Sequence, residues 1–295
     1  MNRFLVIAVL LCVATFARAQ SNQPTLVVTT EPNAIVWIDE VRRGTTDPAG
    51  KLSLSKLTPG RHTLRVRAAG FKETVTPLLP GRRTIAVKLI TTTDRAELMF
   101  QQAETARDEA RDDAAKEKAA DLYREAIKLR PASPAAQVGL ARLLMDLNQF
   151  EKAHSAIDAA RRARPIYPEA SAVEGRIYRE EAFTDEAIRS FRRAIREGNG
   201  FQPEAHVGLA RVLEEKGQFA EAVVEYKKAI DQLSDSEPII YQLLGATYEK
   251  LEKPKEAVVA YEKYLELAPN GSYAAAIKSI LMQLKREAAG EQIIP

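Results

Sequence analysis

The chain has 295 residues, 45% of them apolar, with 43 basic and 40 acidic side chains and a formal net charge of +3. That length allows about two domains, the apolar content is that of a globular protein, and one cysteine excludes a disulfide framework. The charge is unevenly divided: residues 20–90 carry 11 basic and 5 acidic side chains, residues 91–295 carry 30 and 35, so two chemically different modules are expected.

Residues 1–19 read as a secretory signal. Asn2 and Arg3 give a basic start, Phe4 to Phe16 is nearly all apolar, and Ala17-Arg18-Ala19 presents small residues for cleavage before Gln20. The apolar run is about half of the ~20 residues that span a bilayer. The expectation is export to the periplasm or exterior, in association with the envelope, with no transmembrane anchor after cleavage. Cys12 follows the bulky Val9-Leu10-Leu11, which disfavours a lipid anchor there.

Residues 20–90 read as strands. Leu26-Val27-Val28, Ile35-Val36-Trp37-Ile38, Leu52-Ser53-Leu54, His62 to Arg67 and Thr84 to Leu89 are short and mostly alternate in polarity. Glu31-Pro32-Asn33, Arg43-Gly44, Pro48-Ala49-Gly50, Thr58-Pro59-Gly60, Gly70 and Pro80-Gly81 separate them as breakers. A small all-β sandwich follows, with Trp37 in or beside its core. Leu26 to Ala34 leading to Val36-Trp37-Ile38-Asp39, then Gly44-Thr45-Thr46, Leu57 to His62 and Ala69-Gly70-Phe71 resemble the PEGA domain. Glu40 stands where that family usually turns with glycine. Thr46-Asp47-Pro48-Ala49-Gly50 looks instead like a carboxypeptidase-regulatory sandwich. Both resemblances imply a non-catalytic accessory. The basic surplus would suit an anionic surface such as the cell wall, or is a solvated strand face.

Residues 91–99 form a junction and the start of a helix expected from Asp94 to about Ala115, a charged spacer. Thr91-Thr92-Thr93 is too short for wide independent motion, so the modules should sit close together. Beyond it an alanine recurs at Ala119, Ala153, Ala187, Ala222 and Ala257, steps of 34, 34, 35 and 35 residues. Four residues later stand Tyr123, Ile157, Phe191, Tyr226 and Tyr261. Small residues at helix crossings and large ones between units make one stacked core of helical hairpins. The pattern resembles the tetratricopeptide repeat, whose period is about 34 residues. Five units are expected over residues 100–272, a capping helix over 273–290 and a tail over 291–295. The fold class is therefore multidomain: a small all-β sandwich plus an all-α solenoid. Two positions depart from the pattern: Ala106-Arg107 in the first unit, where a large and a small residue are usual, and Glu174 at a large apolar position.

No catalytic constellation emerges, and no cofactor or metal is expected. His62, His154 and His206 lack metal-like spacing, and the last two read as repeat-surface residues. Gly198-Asn199-Gly200 is an inter-helix loop. No serine sits in a nucleophile elbow, and nucleic-acid binding lacks its basic, aromatic stripe. In the resembled family the first helix of each hairpin lines a concave groove. Arg142, Arg176 and Arg211 recur there at 34 and 35 residues, with Arg179, Glu214 and Glu249 nearby. This ladder could pair with carboxylates of a protein or peptide partner, or with neighbouring acids; the family's Lys and Asn clamp is absent. The expected function is that of an exported, non-enzymatic scaffold holding proteins or peptides in the groove. The alternative is a cell-wall or glycan-binding protein acting through the basic sandwich, with the repeats as spacer.

Overall fold

A computed structural model of the protein describes residues 26–289 other than 40, 55–56, 58–59 and 234–236. The expected signal over residues 1–19, with Cys12, and the expected tail lie outside the described residues. Nine strands precede eleven helices among those described.

Strands β1 (Leu26–Thr29), β4 (Lys51–Leu54) and β8 (Thr84–Ala86) form a sheet in the order β4-β1-β8. Strands β2 (Ile35–Ile38), β3 (Val41–Thr45), β5 (His62–Arg67) and β7 (Thr74–Leu78) form another in the order β3-β2-β5-β7. Their inward residues, among them Val28, Val36, Ile38, Leu64 and Val66, are fully buried in one core. Strand alternation thus gives the core directly. Arg43-Gly44 does not break the chain as expected but lies inside β3. The β2–β3 register shifts between Val36 and Trp37, and Gly44, at φ 146°, sits opposite Val36. A bulge next to glycine lets the strand bend without ending. Pro77 is tolerated because β7 is an edge strand. Trp37 lies beside the core, half-buried, with the Arg65 and Arg67 guanidinium carbons 4.3 and 5.2 Å from its ring centroid.

The junction is fixed to this module. Strands β6 (Phe71–Lys72) and β9 (Ile90–Thr91) pair, and Thr92 donates its N–H to the Gly70 carbonyl at 2.9 Å. Helix α1 (Arg95–Glu109) follows at once, its N-terminus capped by Asp94. It stops at Glu109, before the expected Ala115, because Asp112 caps a new helix, α2 (Asp113–Leu129). So α1 is the first arm of a hairpin and not a spacer.

The remaining hairpins are α3 (Pro134–Asp146) with α4 (Phe150–Ala163), α5 (Pro168–Glu180) with α6 (Thr184–Glu197), α7 (Pro203–Glu215) with α8 (Phe219–Leu233), and α9 (Ile239–Lys250) with α10 (Pro254–Leu267). Helix α11 (Ala274–Ala289) caps the last. Helices α1, α3, α5 and α7 adjoin one another in succession as an inner layer. The turn inside each of hairpins two to five places one residue in the left-handed region: Asn148, Ala182, Gly217 and Glu252, at φ 57°, 62°, 73° and 55°.

Glycines at the crossings show why the repeat needs small residues. A Cβ on Gly208 would lie 2.3 Å from the Phe191 ring, and one on Gly139 would lie 2.4 Å from the Tyr123 ring. Both rings are fully buried, so neither can swing away.

The two irregular positions have physical explanations. The Tyr226 hydroxyl donates to Glu214, and the Tyr261 hydroxyl to Glu249, each 12 residues earlier; Tyr123 donates to Glu104, 19 residues earlier. Hairpin one therefore carries seven extra residues, two helical turns, and a strict period misplaces its first helix. Phe100 and Ala103 are buried in its core, with Ala106 only half-buried against it. Glu174 belongs to a polar seam. It accepts from Arg161 at 2.7 Å and Ser190 at 3.1 Å, while Ser171 donates to Glu197 at 2.6 Å. The helical apolar core falls into two clusters, one reaching Ile177 and the other dominated by α6 to α11, and the seam lies between hairpins two and three, close to where they divide.

Candidate functional site

The inner helices put Arg142, Arg176 and Arg211 on one face, but in three different states. Arg142 on α3 grips Glu204 with both terminal nitrogens at 2.7 and 2.8 Å, and reaches Glu169 at 3.4 Å. Arg176 on α5 also donates to Glu204, at 3.4 Å. Glu169 and Glu204 each sit in the first turn of an inner helix, after a proline at its start. Pro suits that position because its missing N–H would have no helical partner, and Glu is favoured by the positive end of the helix dipole. Burial alone would raise the Glu204 carboxyl. The Arg142 guanidinium outweighs it, with help from Arg176, and holds the carboxyl at about 2.

Arg211 on α7 differs. The position 35 residues after Glu204 is Ile239, so the first turn of α9 lacks the acid that α5 and α7 carry there. Arg211 is exposed and, among the described residues, makes no ion pair or hydrogen bond. Whether an arginine is neutralised is thus decided by the residue in the first turn of an inner helix one or two hairpins further along.

The other expected site residues are mostly engaged in holding the array. Arg179 donates to Glu215 at 2.8 Å and to Glu180 at 3.3 Å. Glu214 accepts from Tyr226 at 2.7 Å and from Thr247; Glu249 accepts from Tyr261. Desolvation and these carboxylates push both tyrosine hydroxyls well above their ordinary range, so they stay donors. Glu214 and Glu249 both anchor buried tyrosines; Glu214 is half-buried by this, while Glu249 stays exposed. Their signal was present in the sequence: a glutamate lies 12 residues before Tyr226 and Tyr261, but Met145 and Arg179 lie 12 before Ile157 and Phe191, which have no hydroxyl. Likewise the repeated Pro-Glu-Ala at Pro168 and Pro203 marks the acids that quench Arg142 and Arg176.

The histidines all face carboxylates: His62 and Asp39 at 2.5 Å, His154 and Glu181 at 2.7 Å, His206 and Glu225 at 2.6 Å. His206 is buried, not a surface residue, because it closes the Gly200 loop against α8. Among the described residues no cluster of three could hold a metal ion, and no helix is long and apolar enough to cross a membrane.

Tetratricopeptide-repeat family models match residues 110–177, 172–238 and 239–270. No curated protein matches the chain significantly. Several solved structures share the fold. PilW, described as a widely conserved type IV pilus biogenesis factor, is 16% identical, with a TM-score of 0.56 over 68% of this chain and 88% of its own. PilF of Pseudomonas aeruginosa is 14% identical, with a TM-score of 0.55 over 66% and 88%. A thermophilic repeat protein of Thermus thermophilus is 19% identical, with a TM-score of 0.53 over 64% and 98%. At these identities the likeness is one of fold.

Proposed function

Residues 110–270 belong to the tetratricopeptide-repeat family, and from that premise we propose that this protein is an exported, non-enzymatic scaffold whose inner helical face holds a protein or peptide partner. The observation that carries the reading is Arg211: a guanidinium on the inner face, in line with two neutralised ones, with no acid of its own. An unpaired arginine there suits a carboxylate on a partner, which it can meet with a planar fork. Export rests on the signal-like start, and the fold shared with PilW, named for pilus biogenesis, is in keeping with an envelope setting.

The test is capture of an envelope partner by the full chain and by its Arg211→Glu variant. Loss of capture with an unchanged far-ultraviolet spectrum is expected; equal capture would remove the groove from the account. Arg142→Glu is unsuitable for this purpose, since it would break the pair with Glu204.

A second reading has its own support. Arg82, Arg83 and Lys88 on the sandwich are exposed and, among the described residues, form no ion pair, which would suit an anionic glycan. Pelleting of the full chain with cell-wall material at low salt, abolished by Arg82→Glu with Arg83→Glu, is the expected result of that reading. No pelleting at low salt would end it, since low salt strengthens such attraction.

A further inference from the structure

The β module is in contact with the inner face of the array. On α1, Glu97, Gln101, Glu104 and Asp108 fall at helical spacing on one stripe. Gln101 donates to the Phe71 carbonyl at 2.8 Å and accepts the Gly70 N–H at 2.9 Å. Arg67, buried, reaches Glu104 at 3.4 Å and lies 4.8 Å from the Phe100 ring centroid. Arg42 pairs with Asp108 at 3.1 Å. Glu104, as the acceptor of Tyr123, occupies in hairpin one the place that Glu214 holds in hairpin four, and Gln101 precedes it by three residues as Arg211 precedes Glu214. The stripe under the sandwich is therefore the groove face itself.

The contact does not stop at hairpin one. The next residue along β3, Arg43, donates to the Leu233 carbonyl at 2.7 Å and the Gln232 carbonyl at 3.3 Å. These are the last carbonyls of α8, which have no helical donor and carry the negative end of the helix dipole. Val41 is buried in the same apolar cluster as Leu233 and Leu244. Three successive residues, Val41, Arg42 and Arg43, thus bridge the first and fourth hairpins, which are 66 and 190 residues away in sequence.

We propose that the β2–β3 hairpin is a built-in ligand of the groove, a clamp that ties hairpin one to hairpin four and occupies the acidic end of the inner face. The surface it fills, acids on α1 plus the open carbonyl end of α8, fits an arginine-bearing β edge. An external partner can use the face of hairpin one only by displacing the clamp; the Arg211 end remains free to it. The opposite net charges of the two modules, +6 for residues 20–90 and −5 for residues 91–295, are the sequence counterpart of this seating.

The clamp is tested by its own geometry, independently of any partner. Cys12→Ser leaves the full chain without cysteine, and spin labels are placed through Lys51→Cys on β4 and Asp231→Cys on α8, both exposed positions. Electron–electron resonance should give one narrow distance population. Arg42→Glu with Arg43→Glu should lose that population to a broad, longer one while circular dichroism is unchanged. Should that variant lose structure, Asp108→Arg breaks the bridge from the helical side without touching the sandwich, and a smaller shift in the same direction is expected. A broad distribution in the unsubstituted chain, or a narrow one retained by the folded variants, would overturn the proposal.

Discussion

Gln101 and Glu104 on the first inner helix stand where Arg176 and Arg179 stand on the third and Arg211 and Glu214 on the fourth. At hairpin one the face is acidic and covered by the chain's own sandwich. At hairpins two and three the arginines are met by Glu169 and Glu204 from later repeats. At hairpin four Arg211 is exposed. A single repeat geometry thus yields three outcomes: at hairpin one the residues of α1 itself decide, and at hairpins two to four the residue in the first turn of a later inner helix. Equivalent position does not mean equivalent role, and under the proposed function the chemistry open to a partner narrows to the Arg211 end of the inner face.

The largest expected effect separates two of these arginines. Arg142→Glu reverses a charge that is largely buried against Glu204 and should cost about 3–5 kcal/mol. Arg211→Glu should change stability by less than about 0.5 kcal/mol, as an exposed substitution does. Urea unfolding of the two variants checks this; equal losses would abolish the distinction. Next comes a change that leaves groove charge alone. Gly208→Ala drives a methyl into the Phe191 ring and should cost about 2 kcal/mol, read as a fall in the urea midpoint.

The Glu204 pair also predicts an acid limb. Its folded carboxyl lies at about 2, below the ordinary value of 4.5, so its contribution is present above about 4.5 and lost as pH falls toward 2. Because the side chain is one-third solvated, about 1–2 kcal/mol is expected. Glu204→Gln should flatten stability across that window in a denaturant titration at stepped pH, and an unchanged slope would reject the pairing. The smallest effect concerns the turns. Ala182 and Glu252 hold the left-handed conformation that Gly217 adopts without strain. Ala182→Gly should therefore stabilise by a fraction of the ~1 kcal/mol that conformation costs a side chain, seen as a small rise in Tm.

Much of the fold was legible in local pattern. The alanine and aromatic period located hairpins two to five, and the alternation of Val28, Val36, Ile38, Leu64 and Val66 located the sandwich core, because each feature depends on residues a few positions apart. Strand β3 was hidden because Gly44 reads as a stop, when it serves a bulge. Hairpin one was shifted because seven extra residues preserve the helical face while breaking the period. Glu174 looked anomalous because its partners, Arg161 and Ser190, lie on the neighbouring outer helices α4 and α6. The site was legible as a ladder of arginines but not as a site with one open rung. Arg142 meets Glu204 across 62 residues, and no local pattern carries a contact of that span. The clamp was foreshadowed only by the short junction and the opposite charges of the modules.

The most direct test places a photo-crosslinking residue at Val207, one turn before Arg211 on α7, or at Val259, exposed on the outer helix α10. The full chain is irradiated in envelope extract. An adduct with a defined protein from Val207 and none from Val259 is the predicted result. An adduct from Val259 with none from Val207 would mean that partners bind the outer face and that the open arginine is not the site.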